Sequence, residues 1–196
     1  MIRFFDILLS GIGLIVLSPI FFILSIWIKL DSEGPVFYKQ NRVGKDNVDF
    51  LLFKFRSMVT DADKTGLLIT VGGRDPRVTK SGYFIRKYKL DELPQLINVF
   101  WGEMSLVGPR PEVRKYVELY NHEQQKVLTV KPGVTDYASI EYIDENKILG
   151  ESEDPEKTYI EIILPEKIRH NMKYINNKSI KEYFKIILLT ITKILQ

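Results

Sequence analysis

From Ile7 to Ile28 the chain carries no charged side chain, and polarity returns only at Lys29, Asp31 and Glu33. As a straight helix that run would extend about 33 Å, enough for a hydrocarbon core of about 30 Å. Ser18-Pro19 lies near its middle. A proline there removes one backbone hydrogen bond and clashes with the preceding turn. Two arrangements satisfy the pattern: a kinked helix that crosses a membrane, and a re-entrant helix-break-helix whose Ser18 bonds carbonyls freed at the bend. Flanking charge does not choose between them, because Arg3 and Asp6 cancel on one side and the other side is mixed. A cleaved signal peptide fits poorly, since the apolar run is too long and no small-x-small site follows it.

Past a turn at Asp31-Ser32-Glu33-Gly34-Pro35, short β-rich runs at Val36–Lys39 and Asp49–Phe53 flank Gly44-Lys45-Asp46-Asn47, which predicts a β-hairpin. Alternation through Lys54-Phe55-Arg56 would set Lys54 and Arg56 on one face. Thr60–Lys64 reads as a helical turn and Thr70–Lys80 as a loop. A helix is expected from about Asp91, with Pro94 in its first turn, an apolar stripe of Leu93, Leu96, Ile97 and Phe100, and Gly102 as its stop. Pro111–Val130 reads as one further helix, burying Val113, Tyr116, Val117, Tyr120, Val127 and Leu128. Another runs from Ser152-Glu153-Asp154-Pro155 towards Tyr174. The last, Ile180–Leu195, gathers Phe184, Ile187, Leu188, Ile191, Ile194 and Leu195 on one side, a face suited either to the core or to a membrane surface. The expected class is α+β, with a small hairpin and several helices, some interfacial.

Composition narrows the function. At 196 residues there is room for one compact domain, and 45% hydrophobic with 27% charged residues is ordinary for a globular chain. A net charge of +3 gives no sign of a nucleic-acid partner. The absence of cysteine excludes disulfides, thiolate catalysis and cysteine-based zinc sites. His122 and His170 are not spaced as a ligand pair and are expected on helix surfaces.

The chemistry concentrates between Ser81 and Glu112. Asp91 and Glu92 are adjacent carboxylates within a cationic stretch of Arg86, Lys87 and Lys89. At a helix N-terminus, free N–H groups and the helix dipole would favour ionised Asp91, suiting it as a nucleophile or a hard-metal ligand. Neighbouring helical residues point about 100° apart, so two separate roles fit better than a symmetric pair. The plain alternative is a helix cap beside a solvated carboxylate. Pro109-Arg110-Pro111 fixes φ on both sides of one arginine, pre-orienting a guanidinium suited to phosphate.

Five runs occur in order: Lys54-Phe55-Arg56-Ser57-Met58, Asp75-Pro76-Arg77-Val78-Thr79, Leu90-Asp91-Glu92-Leu93-Pro94-Gln95, Gly102 through Pro111, and Lys131-Pro132-Gly133-Val134-Thr135. With the apolar segment and its Ser18-Pro19, the chain closely resembles the bacterial sugar transferase family, the monotopic polyprenyl-phosphate phosphoglycosyl transferases, in their minimal form. The resemblance implies transfer of a phospho-sugar from a UDP-sugar to polyprenyl (undecaprenyl) phosphate with release of UMP, the first membrane step of bacterial glycan assembly. It implies Asp91 as nucleophile, Glu92 as its assistant, Mg²⁺ held at Asp91, and Lys54, Arg56, Arg86, Arg110 and the flanking Pro109 and Pro111 as substrate-binding residues. It also implies that Ser18 and Pro19 break a re-entrant membrane helix (residues 1–30), leaving residues 31–196 as one catalytic unit on the cytoplasmic face of the inner membrane, in contact with membrane lipids. Room remains for a homodimer.

One stretch departs from the family's common pattern. Asp136 to Asn146 replaces a glycine-containing segment with a basic residue, and it is a candidate for nucleotide or sugar contacts. A competing class is a membrane-anchored module that binds anionic lipid without turnover, but such a binder gains nothing from acids in a cationic cleft. A catalytically silent scaffold is a third class.

Overall fold

The structure, a computed structural model, describes residues 1–62, 69, 75–142 and 145–194, and of these the side chains of residues 146 and 194 are not described. The apolar N-terminal run folds as two helices. α1 (Ile2–Val16) and α2 (Ser18–Asp31) meet at Leu17 with a bend of 59°. Pro19 lies in the first turn of α2, where its missing N–H breaks no helical bond. Ser18 Oγ donates to the Ile15 carbonyl at 2.8 Å, as expected of a serine at the break. The limbs have 15 and 14 residues, about 22 and 21 Å of helix. No single described helix is long and apolar enough to cross a membrane.

The expected hairpin is present. β1 (Phe37–Val43) pairs antiparallel with β2 (Asp49–Phe55) across a 3₁₀ turn at Lys45–Asn47, with Tyr38 opposite Lys54. Then come α3 (Lys80–Lys87), a 3₁₀ turn at Leu90–Glu92, α4 (Gln95–Trp101) and β3 (Ser105–Val107). A second, parallel ladder joins β3 to β4 (Gly133–Thr135), a pairing absent from the sequence expectation. It depends on two glycines. A Cβ on Gly133 would lie 2.1 Å from the Gly108 nitrogen, and one on Gly108 would lie 2.4 Å from the Lys131 carbonyl oxygen.

The helix expected over Pro111–Val130 is broken. α5 covers only Arg114–Val117, and a 3₁₀ stretch follows at Gln124–Thr129. Asn121 and Gln124 exchange side-chain and backbone hydrogen bonds at 2.9 Å each way, a local alternative to the helical ladder. The burial expectation holds even so: Val113, Tyr116, Val117, Tyr120 and Val127 form the largest core with Leu149, Tyr159, Ile163, Leu164 and Ile168. α6 (Tyr137–Glu141) and α7 (Glu145–Gly150) precede a helical run of α8 (Pro155–Thr158), a π turn at Tyr159–Ile163 and α9 (Leu164–Asn176). Pro165 follows the π turn, in the first turn of α9. In α10 (Ile180–Ile194) the buried face is Tyr183 and Ile186, one position away from the expected stripe, and Leu188 and Ile191 are exposed. Most of the turn expected at Thr60–Lys64 and the first half of the loop at Thr70–Lys80 lie outside the described residues, as does Leu195.

Both ends of the α1–α2 pair are fixed to the remaining fold. Asp6 is 2% exposed and accepts from Ser105 Oγ, the Leu106 N–H and the Tyr183 hydroxyl, each at 2.9 Å. Arg3 donates to the last carbonyls of α4, at Val99 and Phe100, where a cation also complements the helix dipole. At the other end, Asp31 accepts from the Ser81 N–H and hydroxyl at 2.8 Å. Leu24 and Ile28 pack with Phe55 and Ile85. Between these ends, Ile12, Ile15, Val16, Phe22 and Ile23 remain exposed, an apolar surface of the kind that marks a contact with lipid or protein.

Candidate active site

The carboxylate pair sits at a junction and not at the start of a long helix. Lys89 takes a left-handed conformation (φ 55°) after α3, the 3₁₀ turn carries Leu90–Glu92, and α4 begins only at Gln95 after Pro94. The expected helix N-terminus is therefore displaced from Asp91. The two side chains also have different surroundings. Asp91 is 7% exposed and lines a cavity of about 670 Å³. No side chain or N–H among the described residues donates to it. Burial, with the charge of Glu92 beside it, raises the Asp91 carboxyl above its ordinary value, against the pull of Lys54, Arg86 and Arg110. This reverses the depressed value expected from a helix dipole, since no helix end points at the group.

Glu92 is held from two sides. Arg110 grips it through both guanidinium arms, Nη1 donating to Oε2 at 3.1 Å and Nη2 to Oε1. Lys54 Nζ lies 3.7 Å from Oε1. Burial alone would raise the Glu92 carboxyl, but Arg110 and Lys54 overcome it and hold the group well below the usual carboxylate range. Burial pushes the Lys54 ammonium down to about 8, with Glu92 opposing. The adjacent carboxylates thus have separate parts: Glu92 is a fixed anion organising two cations, and Asp91 is the free one.

Arg110 is placed by the β3–β4 ladder. Its N–H donates to Asp136 at 3.0 Å, and the same carboxylate caps α6 through the Ser139 N–H. Pro109 and Pro111 lie on the opposite side of this loop, against Val43, Gly44 and Tyr120, and do not line the cavity. Their contribution is the rigidity of the arginine between them. Arg56 also departs from expectation. It borders the cavity, but its guanidinium donates to the carbonyls of Ser32 at 2.7 Å, Ile28 at 3.3 Å and Glu33, tying down the end of α2. β2 ends at Phe55, so the alternation that would pair Arg56 with Lys54 stops there. Arg86 and Lys89 line the cavity near Asp91. Ser18 and Pro19 stay apart, at the helix bend.

A second polar group in the same cavity was not legible from spacing. Glu112, 8% exposed, accepts from the Tyr159 hydroxyl at 2.5 Å, with Arg42 at 3.6 Å and Lys167 at 3.5 Å. Lys167, 6% exposed, also donates to Glu145 at 3.0 Å. Glu112 ends the Pro-Arg-Pro-Glu run and gave a signal; Lys167 and Tyr159 lie far along the chain and gave none. His122 is exposed in a turn, and His170 on α9 meets Tyr142 edge to face.

Among the described residues no three His, Asp or Glu side chains cluster to hold a metal ion. Mg²⁺ does not require such a cage, because it takes one or two carboxylates and completes its shell with phosphate oxygens and water. Asp91, unengaged and in the cavity, fits that donor set.

The family model described as bacterial sugar transferase matches residues 1–196. The chain is 39% identical over 196 residues to a UDP-N-acetylgalactosamine-undecaprenyl-phosphate N-acetylgalactosaminephosphotransferase of Aeromonas hydrophila, covering 98% of this chain and 43% of that one. It is 38% identical over 192 residues to a UDP-glucose:undecaprenyl-phosphate glucose-1-phosphate transferase of Escherichia coli, covering 96% and 39%. An uncharacterized sugar transferase of Bacillus subtilis is 37% identical over 194 residues, with 98% and 86% covered. The chain spans about two fifths of the length of the first two relatives.

Proposed function

The chain belongs to the bacterial sugar transferase family, and from that premise we propose that it moves a phospho-sugar from a UDP-sugar to polyprenyl phosphate. An Asp91 oxygen attacks the sugar-bearing β-phosphorus. The bond from that phosphorus to the bridging oxygen breaks, and UMP leaves with the oxygen. The polyprenyl phosphate then attacks the same phosphorus, the bond to Asp91 breaks, and the carboxylate is restored. The product is a polyprenyl diphosphate sugar. Supporting this reading above all is the division between the two carboxylates: one clamped by Arg110 and Lys54, the other buried, unengaged and facing the cavity.

Each residue has a physical task. Lys54, Arg86 and Arg110 offer positive charge to the diphosphate, and Glu92 fixes two of them so that little reorganisation accompanies transfer. Glu92 acts by positioning and not by proton transfer. Asp91 is the residue to hold Mg²⁺, which supplies charge neutralisation at the diphosphate when bound.

The fold also supports a re-entrant reading of α1–α2. Asp6 and Arg3 at one end, and Asp31 at the other, bond to the same body. A spanning helix would leave one end on the far side of the bilayer. Residues 1–30 are thus the membrane element and residues 31–196 the catalytic unit at the cytoplasmic face, where a soluble sugar nucleotide meets a lipid-borne acceptor. Leu188 and Ile191 of α10 are exposed as well.

The test is incubation of purified protein with polyprenyl phosphate, Mg²⁺ and a panel of UDP-sugars, with UMP as the readout. At least one sugar is expected to release UMP. No UMP with every sugar, from folded protein, overturns the reaction.

A further inference from the structure

The cavity holding Asp91 has two chemically unlike walls. One is the cationic group of Lys54, Arg86 and Arg110. The other comes from the start of α6 to the start of α7, and it contributes Ser139, Tyr142 and Glu145. Ser139 lies in α6, Tyr142 directly follows that helix and Glu145 opens α7, and all three border the cavity. Two hydroxyls and a carboxylate already paired with Lys167 suit a hydroxyl-rich group.

Glu145 is held as an acceptor. Lys167 Nζ donates to its Oε2 at 3.0 Å, while Glu112 and Tyr159 fix Lys167 from behind. All three ammonium hydrogens of Lys167 have an oxygen within reach. Among the described residues, neither the other Glu145 carboxylate oxygen nor the hydroxyls of Ser139 and Tyr142 has a hydrogen-bond partner. The two walls adjoin, because Arg110 and Glu112 are separated only by Pro111. In a nucleotide sugar, the hexose is bonded directly to the phosphorus that Asp91 would attack. A hexose on that phosphorus would lie beside the phosphate-binding cations, towards the Ser139 and Tyr142 hydroxyls and the Glu145 carboxylate.

We propose that Ser139, Tyr142 and Glu145 form the subsite that reads the sugar hydroxyls, with Glu145 as the deciding acceptor and Lys167 as its positioning residue. The inference rests on the reaction proposed above. A fixed, half-buried acceptor pointed at a hydroxyl disfavours an epimer that moves it, because one polar group is then left unpaired.

The test measures binding without turnover. Protein carrying Asp91→Asn is titrated by calorimetry with UMP, UDP-glucose, UDP-galactose and their N-acetyl counterparts in Mg²⁺, with and without Glu145→Gln. Without the second change, the best sugar is expected to bind at least tenfold tighter than its C4 epimer. With it, that ratio should fall below about threefold, while UMP affinity stays within twofold. A ratio that stays unchanged overturns the assignment alone, leaving the reaction standing. A parallel loss of UMP affinity also overturns it, placing Glu145 at the nucleotide. Folded wild-type protein that binds no UMP in Mg²⁺ overturns the reaction, and this subsite with it.

Discussion

Lys54 gives a prediction whose size follows from the site. It faces Glu92 and Asp91 on the 3₁₀ turn, Arg110 on the loop after β3 and Arg42 on β1, and burial brings its ammonium from 10.5 down to about 8. That displacement corresponds to about 3 kcal/mol in favour of the neutral amine. If charged Lys54 meets the diphosphate, kcat/KM must fall as the free enzyme loses that proton. At pH 9 about a tenth of the molecules retain it, so kcat/KM is expected about tenfold below its plateau. Lys54→Arg keeps the charge throughout this range and should remove the limb. The assay is initial-rate UMP release from pH 6.5 to 9.5 at subsaturating UDP-sugar. A flat wild-type profile to pH 9.5, or the same limb in Lys54→Arg, would refute the reasoning. Stability supplies an independent check. The folded value lies below the unfolded one, so the unfolded chain holds an extra proton between pH 8 and 10.5, and stability rises with pH across that window. Wild-type protein should gain about 2 kcal/mol between pH 7 and 9.5, and Lys54→Met should lose that dependence in denaturant titrations.

Glu92→Gln releases Arg110 and Lys54 from their shared anion; kcat/KM is expected to drop about a hundredfold through mispositioning, and a drop below threefold by UMP assay would contradict the clamp. Gly133→Ala puts a methyl group 2.1 Å from the Gly108 nitrogen, so it should part β3 from β4 and cost about 2 kcal/mol or more, read as a lowered thermal midpoint. A tag at residue 1 should be reached from the cytoplasm only, and Pro19→Ala should favour a straight span, exposing the tag to a periplasmic label. Periplasmic labelling of the tagged wild type would refute the re-entrant arrangement.

Local rules found the break at Ser18-Pro19, the hairpin around Gly44-Lys45-Asp46-Asn47, and the burial of Tyr116, Val117 and Tyr120. Those signals are short-range: a missing N–H, a turn composition, a periodicity. The same rules failed where tertiary contacts decide. Arg56, expected at substrate, borders the cavity while its guanidinium ties down the end of α2, because β2 stops one residue earlier. Asp6 reads as a flanking charge but is a buried acceptor for Ser105, Leu106 and Tyr183, up to 177 positions away in sequence. The stripe of α10 was offset by one position, since Tyr183 buries its ring while bonding Asp6. In the site, adjacency marked Asp91 and Glu92, and separate roles followed from helix geometry. Which carboxylate was clamped depended on Arg110, whose position is set by a parallel ladder with no signature of its own. Lys167 and Tyr159 reach the cavity from the helical run of α8 and α9, beyond any local pattern.

The most direct measurement is the intact mass of the protein after incubation with an accepted UDP-sugar and Mg²⁺, without polyprenyl phosphate. Wild-type protein should gain the mass of one phospho-sugar, mapped to the peptide containing Asp91, with one UMP per molecule, and Asp91→Asn should gain none. UMP release only when polyprenyl phosphate is added, with no mass gained by the protein, would contradict Asp91 as the nucleophile.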